Sequence, residues 1–132
     1  MKKTFIVLAV SFMAVSAVAQ QPVSADRFAD AVNHWNKEHG AQSYERYKPD
    51  QFSEIADNIV AYQNADGGWP KNLDMLARLA PDSVKAALKP RHRLSTLDNA
   101  NVYTQVEYLS NVYLLTEDTL YRNSARRGME YM

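Results

Sequence analysis

At 132 residues the chain has room for one domain, and its 15 basic residues are matched by 15 acidic ones, so no bulk field draws it to nucleic acid. It contains no cysteine, which excludes disulfide staples and a lipidated terminus and leaves apolar burial to hold the fold together. A polyanionic partner would have to meet local cations, either Lys89, Arg91, His92 and Arg93 or Arg122, Arg126 and Arg127; the plainer reading of both clusters is a solvated basic loop or helix end.

Lys2 and Lys3 precede an apolar run from Phe5 to Val15 that closes on Ala17-Val18-Ala19, the pattern of a secretory signal peptide over residues 1–19. The run is shorter than the roughly 18 to 20 residues of a membrane span, so cleavage near Ala19 and a secreted or periplasmic product with no membrane anchor are expected. Residues 20–132 then read as one domain or part of one.

Phe28, Ala31, Val32 and Trp35 recur at helical spacing behind Ser24, a candidate N-cap, and Gly40 supplies a stop, which predicts a helix over 25–38. A second helix opens at Pro49 and carries Phe52, Ile55, Ala56, Ile59, Val60 and Gln63 on one face, ending at Asp66-Gly67-Gly68. Leu73, Leu76, Leu79 and Ala80 suggest a short helix ended by Pro81, and Val84, Ala87 and Leu88 another ended by Pro90, with a basic loop from Lys89 to Ser95.

Val102, Val106, Leu109 and Tyr113, widened by Tyr103, Val112 and Leu114, predict a helix over 98–115 capped by Thr96 or Asp98. A last helix follows Asp118, with Tyr121, Ala125, Met129 and Met132 on one side, and its pattern is still running at Met132, so the chain reads as truncated. Strand signals are nearly absent. The expected fold is all-α, with wide apolar faces that call for helical neighbours on both sides. His34, His39 and His92 show no metal-ligand spacing, and no Ser, His and acid combination forms a nucleophile arrangement.

Two blocks then coincide about thirty residues apart: NADGGWPKN, from Asn64 to Asn72, and STLDNANVYTQVEYL, from Ser95 to Leu109. In order and spacing they resemble polysaccharide lyase family 10, the pectate lyases, over roughly residues 45 to 132, although Ala100 stands where the family commonly has glycine. The resemblance implies part of an (α/α) toroid of paired antiparallel helices with a groove across one end. It also implies cleavage of polygalacturonate (pectate, pectin oligosaccharides) by β-elimination, in which a base removes the proton α to a uronate carboxylate and Ca2+ stabilises the developing charge.

On this resemblance Asp98 is the first candidate metal ligand, with an N-cap as the alternative, and Asp66 the second, with ordinary turn chemistry as the alternative. Lys71 and Asn72 are candidate substrate contacts, one for a carboxylate and one for hydroxyls, against a solvated lysine and a helix-capping asparagine. Trp69 could stack on a sugar ring or plug the core. The family's base is an arginine far along the chain, and no arginine here has the matching context, so the catalytic residue is unknown and the sequence reads as the amino-terminal part of a lyase domain. Two other readings stand beside this one. The first is a secreted helical glycan-binding fragment without catalysis. The second is a fragment similar to the QW-repeat triterpene cyclases, from the single Gln63-x-x-x-Gly67-x-Trp69.

Overall fold

The computed structural model describes residues 23–40 and 44–132, and the predicted signal peptide lies outside them. Among the described residues there are five α-helices: α1 (Ala29–His39), α2 (Phe52–Tyr62), α3 (Pro81–Ala87), α4 (Tyr103–Thr116) and α5 (Thr119–Tyr131). Single 3-10 turns at Asp26–Phe28, Pro90–Arg93 and Asp98–Ala100 lead into or between them. The described residues form isolated β-bridges but no strand, so the fold is all-α.

Helices α4 and α5 make an antiparallel hairpin, since Val106 near the start of one packs on Gly128 near the end of the other. Asp118 turns the corner as the cap of α5, its Oδ1 accepting the Leu120 N–H at 2.8 Å, as its place before the last apolar pattern predicts. Helix α2 lies against both, and Phe52, Ile55, Ala56, Ile59 and Tyr62 bury its inner face. Against these pack Val102, Tyr108, Leu109 and Val112 of the α4 segment and Tyr121 and Ala125 of α5.

Several boundaries differ from expectation. Pro49 lies in a turn, and α2 starts only at Phe52. Ser24 bonds the Asp26 N–H at 3.3 Å without capping α1 itself. Pro81 opens α3 where it was expected to end a helix; its missing N–H costs nothing at a first helical position. On α5 the buried face is Tyr121, Ser124, Ala125 and Gly128, leaving Met129 and Met132 outside, and on α4 Leu114 and Tyr103 are exposed.

The predicted helix over Leu73 to Ala80 does not form, because its backbone is used elsewhere. Tyr47 N–H donates to Leu76 O at 2.8 Å and Arg78 N–H to Glu45 O at 2.9 Å, while Asn58 Nδ2 on α2 donates to Met75 O and Ala77 O. Asp74 is buried within this segment; its carboxylate accepts Arg46 Nε at 2.7 Å, and Arg46 Nη2 reaches Asn36 Oδ1 at 2.7 Å, which ties α1 to the segment.

Candidate functional site

The loop after α2 is pinned from both sides. Gln63 Nε2 donates to Gly67 O at 2.8 Å and to Ser124 O at 2.9 Å, and its Oε1 accepts Ser124 Oγ at 2.8 Å and the Arg127 guanidinium. Gly67 has φ +93°, and a Cβ there would lie 2.4 Å from Arg127 O, so both conformation and space require glycine. Trp69 follows, fully buried, with Nε1 donating to Ile59 O at 2.6 Å and its ring against Gly128. A ring so enclosed has no face to offer a sugar, so the stacking role expected of Trp69 is corrected to a core plug.

The second block is stitched onto the first. Pro70 and Ser95 form an isolated antiparallel bridge, Thr96 N–H donates to Trp69 O at 3.3 Å, and Asn101 Nδ2 donates to Trp69 O at 2.6 Å and to Thr96 O at 2.9 Å. Ser95 Oγ donates to Asp66 Oδ1 at 2.7 Å, and Gly68 N–H to the same oxygen at 3.0 Å. Asp66 thus serves the turn, with one carboxylate oxygen already taken by two donors.

This stitching brings Lys71 and Asp98 together across 27 residues of chain as an exposed ion pair. The Lys71 hydrogen bond, then its charge, holds the Asp98 carboxyl below its ordinary value. Asp98 is not the cap of α4: Asn99, Ala100 and Val102 all take positive φ, and the helix begins at Tyr103. Ala100, the position where the resemblance expects glycine, sits at φ 56°, the left-handed region that glycine enters most easily. Asn72, expected as a possible helix cap, has φ 62° and no helix after it, which leaves its amide beside Lys71.

A cavity of about 320 Å³ opens between the end of α1 and residues 88–96, with Lys71 and Asn72 on its wall. Trp35 and His39 stack at 3.8 Å on its α1 side, and Arg91, His92 and Leu94 line the other. A second cavity, of about 20 Å³ and so fit for a single water, holds Asp98, Asn72 and Gln105, whose buried Oε1 has no hydrogen-bond partner. The adjacency of α1 and Arg91 to Lys71 and Asn72 was invisible to spacing, because it depends on how the 73–96 excursion folds back.

Calcium takes six to eight hard oxygens. Among the described residues no three acids or histidines cluster, Asp66 gives one carboxylate oxygen to its turn, and Asp98 offers an exposed carboxylate beside Lys71 and Asn72. The donor set therefore fits an ion that takes most of its ligands from substrate carboxylates and water, and does not fit one caged by this chain alone. No described helix is long and apolar enough to cross a membrane.

No curated protein and no solved structure matches the chain. The sequence model of the pectic acid lyases matches residues 63–132, more than half of the chain, and this decides between the lyase and cyclase resemblances of the Gln63 to Trp69 segment. From the loop that places Lys71 to the last described residue of α5, the chain belongs to the pectic acid lyase family.

Proposed function

We propose that this protein binds polygalacturonate along the rim formed by Lys71, Asn72 and Asp98 and serves its calcium-assisted β-elimination, as part of an (α/α) toroid. The observation that carries the reading is the Lys71–Asp98 pair, which joins the two motif blocks at one solvent-facing place. Lys71 supplies a compact positive charge for a galacturonate carboxylate, and Asn72 a donor and an acceptor for sugar hydroxyls. Asp98, whose carboxyl the Lys71 hydrogen bond and charge hold below its ordinary value, is the residue that would help hold calcium. When bound, that ion withdraws charge from the substrate carboxylate and so acidifies the α proton.

No described residue is assigned as the base. An arginine keeps its proton unless its surroundings are unusual, and the described arginines sit beside acids, carbonyls, amides, aromatics or a histidine. Residues 1–19 are read as the signal that exports the chain to the periplasm or the medium.

The test is calorimetry with trigalacturonate and with a neutral galactose trimer, with and without calcium. Binding of the acidic trimer alone, strengthened by calcium, is expected; equal binding of both sugars would sink the reading. Release of unsaturated product from polygalacturonate by the 132-residue chain would show that one of its own residues acts as the base.

A further inference from the structure

The arginines of this chain are almost all engaged. Arg27 pairs with Glu107, Arg46 with Asp74, Arg78 with Glu45 and Arg126 with Glu130. Arg127 meets Gln63, Arg122 lies over the Tyr113 ring, and Arg93 donates to Ala86 O and Leu88 O at 2.8 Å each, capping the carboxyl end of α3. Among the described residues Arg91 alone meets neither an oxygen acceptor nor an aromatic face. Its Nε donates to His92 Nε2 at 3.0 Å, which steadies the guanidinium and leaves both terminal nitrogens open.

That unused fork lines the same 320 Å³ cavity as Lys71 and Asn72. Cavities of about 300 to 1,000 Å³ with a few placed polar groups are the size class of small-ligand sites. The walls alternate apolar surface, from Leu94 and the Trp35–His39 stack, with cations, which suits a sugar whose ring face is apolar and whose substituent is a carboxylate. Glu38 is the one acid in the lining and would repel a uronate on the α1 side, which favours the carboxylate at the Arg91 side.

We propose that this cavity is a further galacturonate subsite in which Arg91, steadied by His92, clamps the carboxylate of a sugar unit neighbouring the one at Lys71. The inference rests on the reading of Lys71 as a polygalacturonate contact and extends it to a residue outside both motif blocks. Arg93, two residues on, serves the backbone of α3, so the basic cluster divides into one structural and one ligand-facing arginine.

The experiment measures trigalacturonate affinity for the full chain and for Arg91→Gln, Arg91→Lys and Lys71→Gln, with melting temperatures alongside. Arg91→Gln is expected to weaken binding about tenfold or more with unchanged melting, and Arg91→Lys to fall between, since lysine keeps the charge and loses the two-pronged geometry. If Arg91→Gln binds as the wild type does while Lys71→Gln is weakened, this inference alone falls. If no form binds trigalacturonate, the function proposed for the rim falls with it. Should Arg91→Gln melt lower, Arg91→Lys decides: intermediate affinity supports the clamp, and wild-type affinity overturns it.

Discussion

The ten residues from Gln63 to Asn72 divide into an inner and an outer half that do opposite work. Gln63, Gly67, Gly68 and Trp69 are buried and bonded to α2, α5 and the second block, whereas Lys71 is exposed and Asn72 half-buried beside two cavities. The inner half has no freedom to meet a ligand, and for that reason the outer half is held at a fixed place. Of the three candidate sugar contacts in this motif, Trp69 belongs to a buried staple, and Lys71 and Asn72 stand at its edge.

The sharpest way to break this division is at Trp69. Trp69→Ala removes the largest fully buried side chain and the bond to Ile59 O, and is expected to cost about 3–5 kcal/mol in chemical denaturation. Sugar binding should fall only as far as the folded fraction falls. Wild-type stability with selectively lost sugar binding would return Trp69 to the groove. Gly67→Ala comes next, because a Cβ 2.4 Å from Arg127 O and a φ of +93° both act against it; overpacking and strain together predict a loss of about 2–4 kcal/mol, read from the same denaturation curves. A neutral Gly67→Ala would mean that the loop shifts freely and that the inner half does not anchor the rim.

The same division explains what the sequence disclosed. Helices α2 and α5 were legible because their period and, for α5, the Asp118 cap are local properties. The 73–80 segment was misread because its leucines have helical spacing while its carbonyls are claimed by Asn58 and by residues 45–47, partners that no window along the chain contains. Asp98 could be named as an acid near a helix start, but its partner Lys71 lies 27 residues away, and the positive-φ residues that push α4 back to Tyr103 carry no glycine to announce them. Arg91 reads in the sequence only as part of a basic run, since its distinction is that no oxygen acceptor among the described residues meets its guanidinium.

On the outer half the effects move from stability to binding. Lys71→Gln is expected to leave melting unchanged, because the residue is exposed, and to weaken trigalacturonate binding about tenfold in calorimetry through the loss of one charge-assisted contact. A lower melting temperature with unchanged binding would transfer Lys71 to the staple and remove the contrast between the halves.

The smallest effect is a titration, and it tests the pair itself. Lys71 lowers the folded-state pKa of Asp98, so the stabilising contribution of the pair is present above the unfolded value, about 3.9, and is lost as pH falls through the lowered folded value. Carboxyl carbon NMR should therefore show Asp98 titrating below the ordinary aspartate range in the wild type and moving back up in Lys71→Gln. Both groups are exposed, so added salt should shrink the difference, and the pair should add little to folding stability. An Asp98 titration indifferent to Lys71 would mean that the pair does not form in solution, and the rim would lose the link on which its proposed role depends.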